Sequence, residues 1–246
     1  MSNRLKNKIL KLKESSTLVI NEKSKELINQ GKKVYQFGFG QSPFPVPEKI
    51  VEALKNNAHR KEYLPIQGLP SLREAISDYL QKKTGNNYPK ENILITPGSK
   101  EAMLLMHIAF NGEIIIPAPG WVSYEPQAQI GSNKVHWLET SRANNWFPTA
   151  EALEKKIKKI GKKKNLILIL NSPNNPSGAV CKNLKELANV SRKNKIIVLS
   201  DEIYTDLTFK DNYNSISKYY PEFTFITGGL SKWCGAGGWR LGFLAV

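Results

Sequence analysis

Leu166-Ile167-Leu168-Ile169-Leu170 is apolar at every position, with Lys164-Asn165 before it and Asn171-Ser172-Pro173 after it. A strand with one wet face alternates apolar and polar residues, so an unbroken run of this kind needs cover on both faces. Six other short runs bounded by turn residues read as strands: Ile93–Thr96, Ile114–Pro117, Lys134–Leu138, Ile196–Ser200, Phe223–Thr227 and Leu241–Val246. Helical patterns fall between many of them, at Lys100–Phe110, Trp121–Ile130, Thr149–Ile160 and Leu184–Asn194. The last is preceded by Asn183 and carries Glu186, a capping arrangement. Alternating strand and helix predicts an α/β fold: a seven-stranded, mostly parallel sheet sandwiched by helices.

Upstream of the first strand, Pro47–Asn57 and Leu69–Thr84 read as helices, the second with Leu72, Ile76, Tyr79 and Leu80 on one face. Ser16–Gln30 reads as an amphipathic helix, followed by a short strand at Val34–Phe37. The sequence has no internal repeat and no low-complexity linker.

Composition narrows the partners. No apolar run approaches the roughly 20 residues that span a bilayer, so no membrane partner is expected. The basic start, Met1 to Lys8, leads into no continuous apolar segment, which argues against a secretory signal. Lysine dominance with early Glu14 and Glu22 argues against a transit peptide, and a cytoplasmic protein is expected. Cys181 and Cys234 have no CxxC partner and no histidines at metal-ligand spacing, so reduced thiols and no metal are expected. The net charge of +15 raises nucleic-acid binding. Its lysines are spread along the chain, as in Lys155-Lys156, Lys158-Lys159 and Lys162-Lys163-Lys164, without interleaved aromatics. That pattern fits solvated helix faces rather than a strand-binding groove, and no nucleic-acid partner is expected. The positive field would instead favour an anionic cofactor and dicarboxylate substrates.

Reactive residues stand at the ends of the apolar runs. Lys232 closes Gly228-Gly229-Leu230-Ser231-Lys232 and is followed by Gly235, Gly237, Gly238, Trp239 and Arg240. Upstream lie Asn171-Ser172-Pro173-Asn174-Asn175-Pro176-Ser177-Gly178 and Ser200-Asp201-Glu202-Ile203-Tyr204. Ligands of open α/β sheets bind beyond the carboxyl ends of the strands, where Asp201 falls. Gly98-Ser99-Lys100 opens a helix directly after a strand, and amides there with a hydroxyl form an anion site. Simple N-capping by Ser99 is compatible with that role. An amine, an arginine, a carboxylate, a phenol and an amide suit a cofactor with an aldehyde, a phosphate, a ring nitrogen and a ring oxygen. Pyridoxal 5'-phosphate has all four and commonly forms a Schiff base with a lysine.

These segments resemble, in order and spacing, the class I/II aminotransferases, fold type I of the pyridoxal-phosphate enzymes. Phe37-Gly38-Phe39-Gly40-Gln41-Ser42-Pro43-Phe44-Pro45-Val46-Pro47 is similar to the family's N-terminal loop. Lys61-Glu62-Tyr63-Leu64-Pro65-Ile66-Gln67-Gly68-Leu69 is similar to a loop of aspartate aminotransferases. The resemblance implies that Lys232 bears the Schiff base and then acts as general base, and that Asp201 pairs with the pyridinium nitrogen. It gives Tyr204 and Asn175 the ring oxygen, and Arg240, Ser99 and the main chain of Gly98 and Lys100 the phosphate. Trp121 would stack on the ring, Tyr63 would reach the phosphate of a neighbouring subunit in a homodimer, and Gly40 would approach the substrate carboxylate. Trp121 and Asn175 would also meet the substrate, an α-amino acid or a 2-oxo acid.

The resemblance also implies a large domain over residues 47–246 and, over 1–46, a segment contributing to a small domain. Six parallel strands and one antiparallel strand are expected, the antiparallel one being Leu241–Val246. The family's interdomain helix and most of its small domain follow that strand, so the sequence is expected to be C-terminally truncated, without the arginine for the substrate α-carboxylate. Many members carry Ser or Thr three residues before the lysine, where this sequence has Gly229. Carbon–sulfur β-lyases, aminocyclopropane-carboxylate synthases and acyl-transferring synthases share the ring contacts, and an inactive pyridoxal-phosphate-binding remnant is a further alternative.

Overall fold

In the computed structural model, which describes residues 4–12, 14–38, 40–161, 164–209 and 213–246, seven strands make one sheet. They are β1 (Ile93–Thr96), β2 (Glu113–Ala118), β3 (Val135–Glu139), β4 (Leu166–Asn171), β5 (Ile197–Asp201), β6 (Thr224–Gly229) and β7 (Gly242–Ala245). The helices are α1 (Asn7–Leu10), α2 (Ser16–Asn29), α3 (Glu48–Asn57), α4 (Pro70–Thr84), α5 (Ser99–Ala109), α6 (Tyr124–Gly131), α7 (Ala150–Ile160) and α8 (Leu184–Lys193). Phe39, Lys162 and Lys163 fall outside the described residues.

The strand order is β1-β7-β6-β5-β4-β2-β3, with β7 antiparallel to both of its neighbours and the other pairings parallel. Six strands therefore run one way and β7 the other, as expected. Buried throughout, β4 divides its side chains between two layers. Leu166, Leu168 and Leu170 join Leu153 and Ile157 of α7 and Leu187 and Ala188 of α8. Ile167 and Ile169 join Ala102, Met103 and Met106 of α5 and Tyr124 and Ala128 of α6. Each such fully buried Leu or Ile contributes about 1.5–3 kcal/mol relative to exposure. The period-2 alternation of β5 follows suit, with Val198 in the first layer and Leu199 in the second.

Three local expectations need correction. Val34–Phe37 is not a strand: Tyr35 and Phe37 are exposed, and no described strand lies beside it to take its backbone groups. Asn183 occupies the N-cap of α8 but makes no side-chain cap; its amide donates to Pro148 O at 2.9 Å and its Oδ1 accepts from Cys181 Sγ. Ser99 is the first residue of α5 rather than its cap, because Gly98 takes the N-cap with φ of 85° and provides no side chain. Thr149, by contrast, does cap α7, its hydroxyl accepting from Ala152 N at 3.1 Å. Among the described residues no helix is long and apolar enough to cross a membrane, and no His, Cys, Asp or Glu cluster could hold a metal.

Candidate active site

The carboxyl ends of β1, β2, β4, β5 and β6 converge on a cleft of about 650 Å³. Its lining includes Gly40, Ser99, Lys100, Trp121, Asn175, Asp201, Tyr204, Lys232 and Arg240, nine of the residues singled out in the sequence.

Asp201 ends β5 on the α5–α6 side and is 3% exposed. Tyr124 Oη donates to its Oδ2 at 2.6 Å, and Thr227 Oγ1 and Ile203 N approach its Oδ1 at 3.4 Å. Burial pushes the carboxyl above its usual range, while these donors and the Lys232 charge oppose the shift. Asn171, at the end of the adjacent strand, is in register with Asp201 and donates from Nδ2 to its carbonyl at 2.8 Å. Asn171 Oδ1 also accepts from Asn175 N at 2.7 Å, and Asn175 Nδ2 donates to Tyr204 Oη at 3.2 Å. The amide and phenol expected at a ring oxygen therefore lie side by side.

Lys232 follows β6 in a Gly-rich loop and reaches back across the cleft to donate to Gly40 O at 2.8 Å. Its Nζ lies 5.6 Å from the Tyr204 ring centroid. Burial holds its amine below the usual lysine range, with Asp201 pulling the other way. That favours the neutral, nucleophilic form.

Arg240 has left-handed φ of 55°, and its guanidinium donates to Gly237 O at 2.7 Å and Pro97 O at 2.9 Å. It thereby lies over Gly98, where an added Cβ would run into the guanidinium. The first amides of α5, Ser99 Oγ and Arg240 together could hold a phosphate. Trp121 stands edge-on to Tyr124, ring centroids 5.4 Å apart, and the Lys100 ammonium lies 5.3 Å from the Trp121 ring.

These groups fit pyridoxal 5'-phosphate on chemistry: a buried carboxylate for a basic ring, an amine of lowered basicity, an amide–phenol pair, and a cradle that glycine leaves open beside an arginine. Gly229 adds no hydroxyl to this cradle, and a Cβ there would meet Leu241 O at 2.6 Å and Gly242 Cα at 2.9 Å.

Tyr63 is not brought to the cleft; it is fully exposed. Sequence reasoning missed Tyr124, Asn171, Gln41 and Ser231, which also line the cleft. Tyr124 had a signal, lying one helical turn after Trp121, and Asn171 ends the most apolar strand.

The chain belongs to the family "aminotransferase class I and II", whose model matches residues 32–246. It is 33% identical over 254 residues to an aspartate aminotransferase of Geobacillus stearothermophilus, covering 98% of this chain and 63% of the relative. It is 31% identical over 252 residues to an asparagine–oxo-acid transaminase of Streptococcus mutans, covering 98% and 63%. The solved aspartate aminotransferase from Thermus thermophilus with maleate superposes with TM-score 0.91 at 30% identity, covering 98% of this chain and 64% of that one. The chain thus spans slightly less than two thirds of the relatives' length.

Proposed function

We propose that the cleft binds pyridoxal 5'-phosphate and that the protein transfers an amino group between an α-amino acid and a 2-oxo acid. The observation that carries this reading is Lys232, an amine of lowered basicity in the same cleft as buried Asp201 and the Arg240–Gly98 cradle. When bound, the cofactor supplies an aldehyde for the amino group and a ring that draws electrons from Cα. Arg240, Ser99 and the α5 amides hold the phosphate. Asp201, kept in place by Tyr124, holds a proton on the ring nitrogen. Asn175 and Tyr204 would hold the ring oxygen, and Trp121 would pack against the ring. Lys232 Nζ would hold the aldehyde and would be the group placed to move the proton at Cα. Gly40, whose Cβ position lies 4.0 Å from Lys232 Nζ, keeps that side open for the substrate carboxylate.

The names of the relatives point to aspartate or asparagine as amino donor, and the Lys100 ammonium lining the cleft suits a donor with a second polar group. We also infer a homodimer, with Tyr63 serving the partner's phosphate; its full exposure beside exposed Leu64 and Ile66 supports that role. Residues 47–246 are the cofactor-binding unit in this reading, and 1–46 belong with a small domain. Two unpaired thiols agree with a cytoplasmic location.

The test is pyridoxal 5'-phosphate titration followed by borohydride reduction and peptide mass analysis. The unmodified protein is expected to gain the cofactor mass on the peptide containing Lys232, and Lys232→Ala to gain none. Labelling elsewhere, or an unaltered Lys232→Ala, would remove the assignment.

A further inference from the structure

Glu202 directly follows Asp201 and turns to the opposite side of the sheet. It continues the even series of β5, after Val198 and Ser200, and is 8% exposed. Its Oε1 accepts from Ser200 Oγ at 2.9 Å and Ser215 Oγ at 2.6 Å, and its Oε2 accepts from Tyr213 Oη. The Ser215 oxygen in turn accepts from Ser217 N at 3.1 Å, which leaves its own proton for Glu202. The Lys83 ammonium of α4 lies 4.9 Å from the Tyr213 ring centroid. A buried carboxylate with three hydroxyl donors is well satisfied, yet no step of the proposed chemistry uses it.

We propose that Glu202 is a positioning residue for the cleft, its hydroxyl-clamped carboxylate fixing the turn that carries Asp201 and Tyr204. The proposal rests on the functional reading above. On the cleft side Asp201 is held by Tyr124, with Thr227 Oγ1 and Ile203 N at a longer 3.4 Å, and Tyr204 is held by Asn175. The backbone adds Glu202 N to Thr227 O at 2.9 Å and Thr205 N to Glu202 O at 3.1 Å. Glu202 is thus the side chain through which residues 213–217 grip the turn. Further along, Asp206 is held to α4 by Tyr79 Oη at 2.8 Å and by Lys83. Because Asp201 and Tyr204 flank Glu202, loosening it displaces both together. An amide at position 202 would keep the volume but weaken the acceptor for three buried hydroxyls.

The experiment titrates the unmodified protein, Glu202→Gln, Tyr213→Phe and a control, Ile157→Val, with pyridoxal 5'-phosphate. Binding is read from the absorbance of the cofactor, its orientation from the circular dichroism induced in the same band, and folding from thermal midpoints. Ile157 lies in the α7–α8 layer, outside the turn, so its variant costs stability alone. Glu202→Gln is expected to raise the cofactor Kd about tenfold and Tyr213→Phe about threefold, both with weaker induced dichroism. The control should leave Kd and dichroism unchanged. If Glu202→Gln does not fold, Tyr213→Phe decides. Unaltered Kd and dichroism in the variants would overturn the inference alone, as would an equal rise in the control. A missing cofactor band in the unmodified protein would overturn the functional reading and this inference with it.

Discussion

Tyr124 Oη lies 2.6 Å from Asp201 Oδ2, and both side chains are buried. The phenol comes from the start of α6 and the carboxylate from the end of β5, so the contact ties a helix to the strand end that lines the cleft. A charge-assisted hydrogen bond of this kind is worth about 1.5–3 kcal/mol. Tyr124→Phe is therefore expected to weaken cofactor binding roughly tenfold or more while the fold is retained. Calorimetric titration with pyridoxal 5'-phosphate checks it, and unchanged affinity would show that Asp201 needs no such support.

Gly98→Ala should act through Arg240. The added methyl collides with the guanidinium, and the backbone at φ of 85° disfavours a side chain. Arg240 must then leave the α5 amides. Affinity for pyridoxal 5'-phosphate is expected to fall at least tenfold, and affinity for pyridoxal, which has no phosphate, far less. Equal losses for both would argue against a phosphate cradle.

His107 gives the protein an acid-sensitive stability. It is 0% exposed, neither ring nitrogen has a partner among the described residues, and burial holds its pKa down to about 4. The unfolded chain, at about 6.5, binds the proton first. Stability from this group is complete above about pH 6.5 and declines as pH falls toward 4, by about 2 kcal/mol at pH 5. Denaturant melts at pH 8 and pH 5 measure the loss. In His107→Leu the two melts should differ by correspondingly less.

Tyr63 is expected to act across a subunit interface. Mixing Tyr63→Phe with Lys232→Ala should produce heterodimers in which one site carries both defects and the other neither. Recovery of activity on mixing is the expected result; none would place Tyr63 outside any shared site.

Much of this molecule was legible in the chain. Leu166–Asn171 demanded two covered faces, and its side chains do part between α7–α8 and α5–α6. Lys232, Asp201, Asn175 and Arg240 were singled out in the sequence, and the structure brings all four to one cleft. What escaped notice depended on pairings between distant segments. Tyr124 reads as a core aromatic until β5 brings Asp201 beside it, and Glu202 is an ordinary acidic residue until Tyr213 and Ser215 close over it. Val34–Phe37 has strand composition, but strand formation needs a neighbour as well as a propensity. Asn183 lost its capping role because Pro148 O offered its amide another partner.

The interior place of β7 bears on how the nascent chain acquires its shape. Among the described residues β1 pairs only with β7, and β7 fills the gap between β1 and β6. While the ribosome has yet to release residues 242–245, β1 has no partner and β6 presents an open edge. The sheet is therefore sealed by one late insertion, across a sequence separation that makes closure slow and leaves apolar strands available to chaperones or to wrong neighbours. Arg240, just ahead of that strand, reaches Gly98 in the same event, so the proposed phosphate cradle and the closed sheet form together.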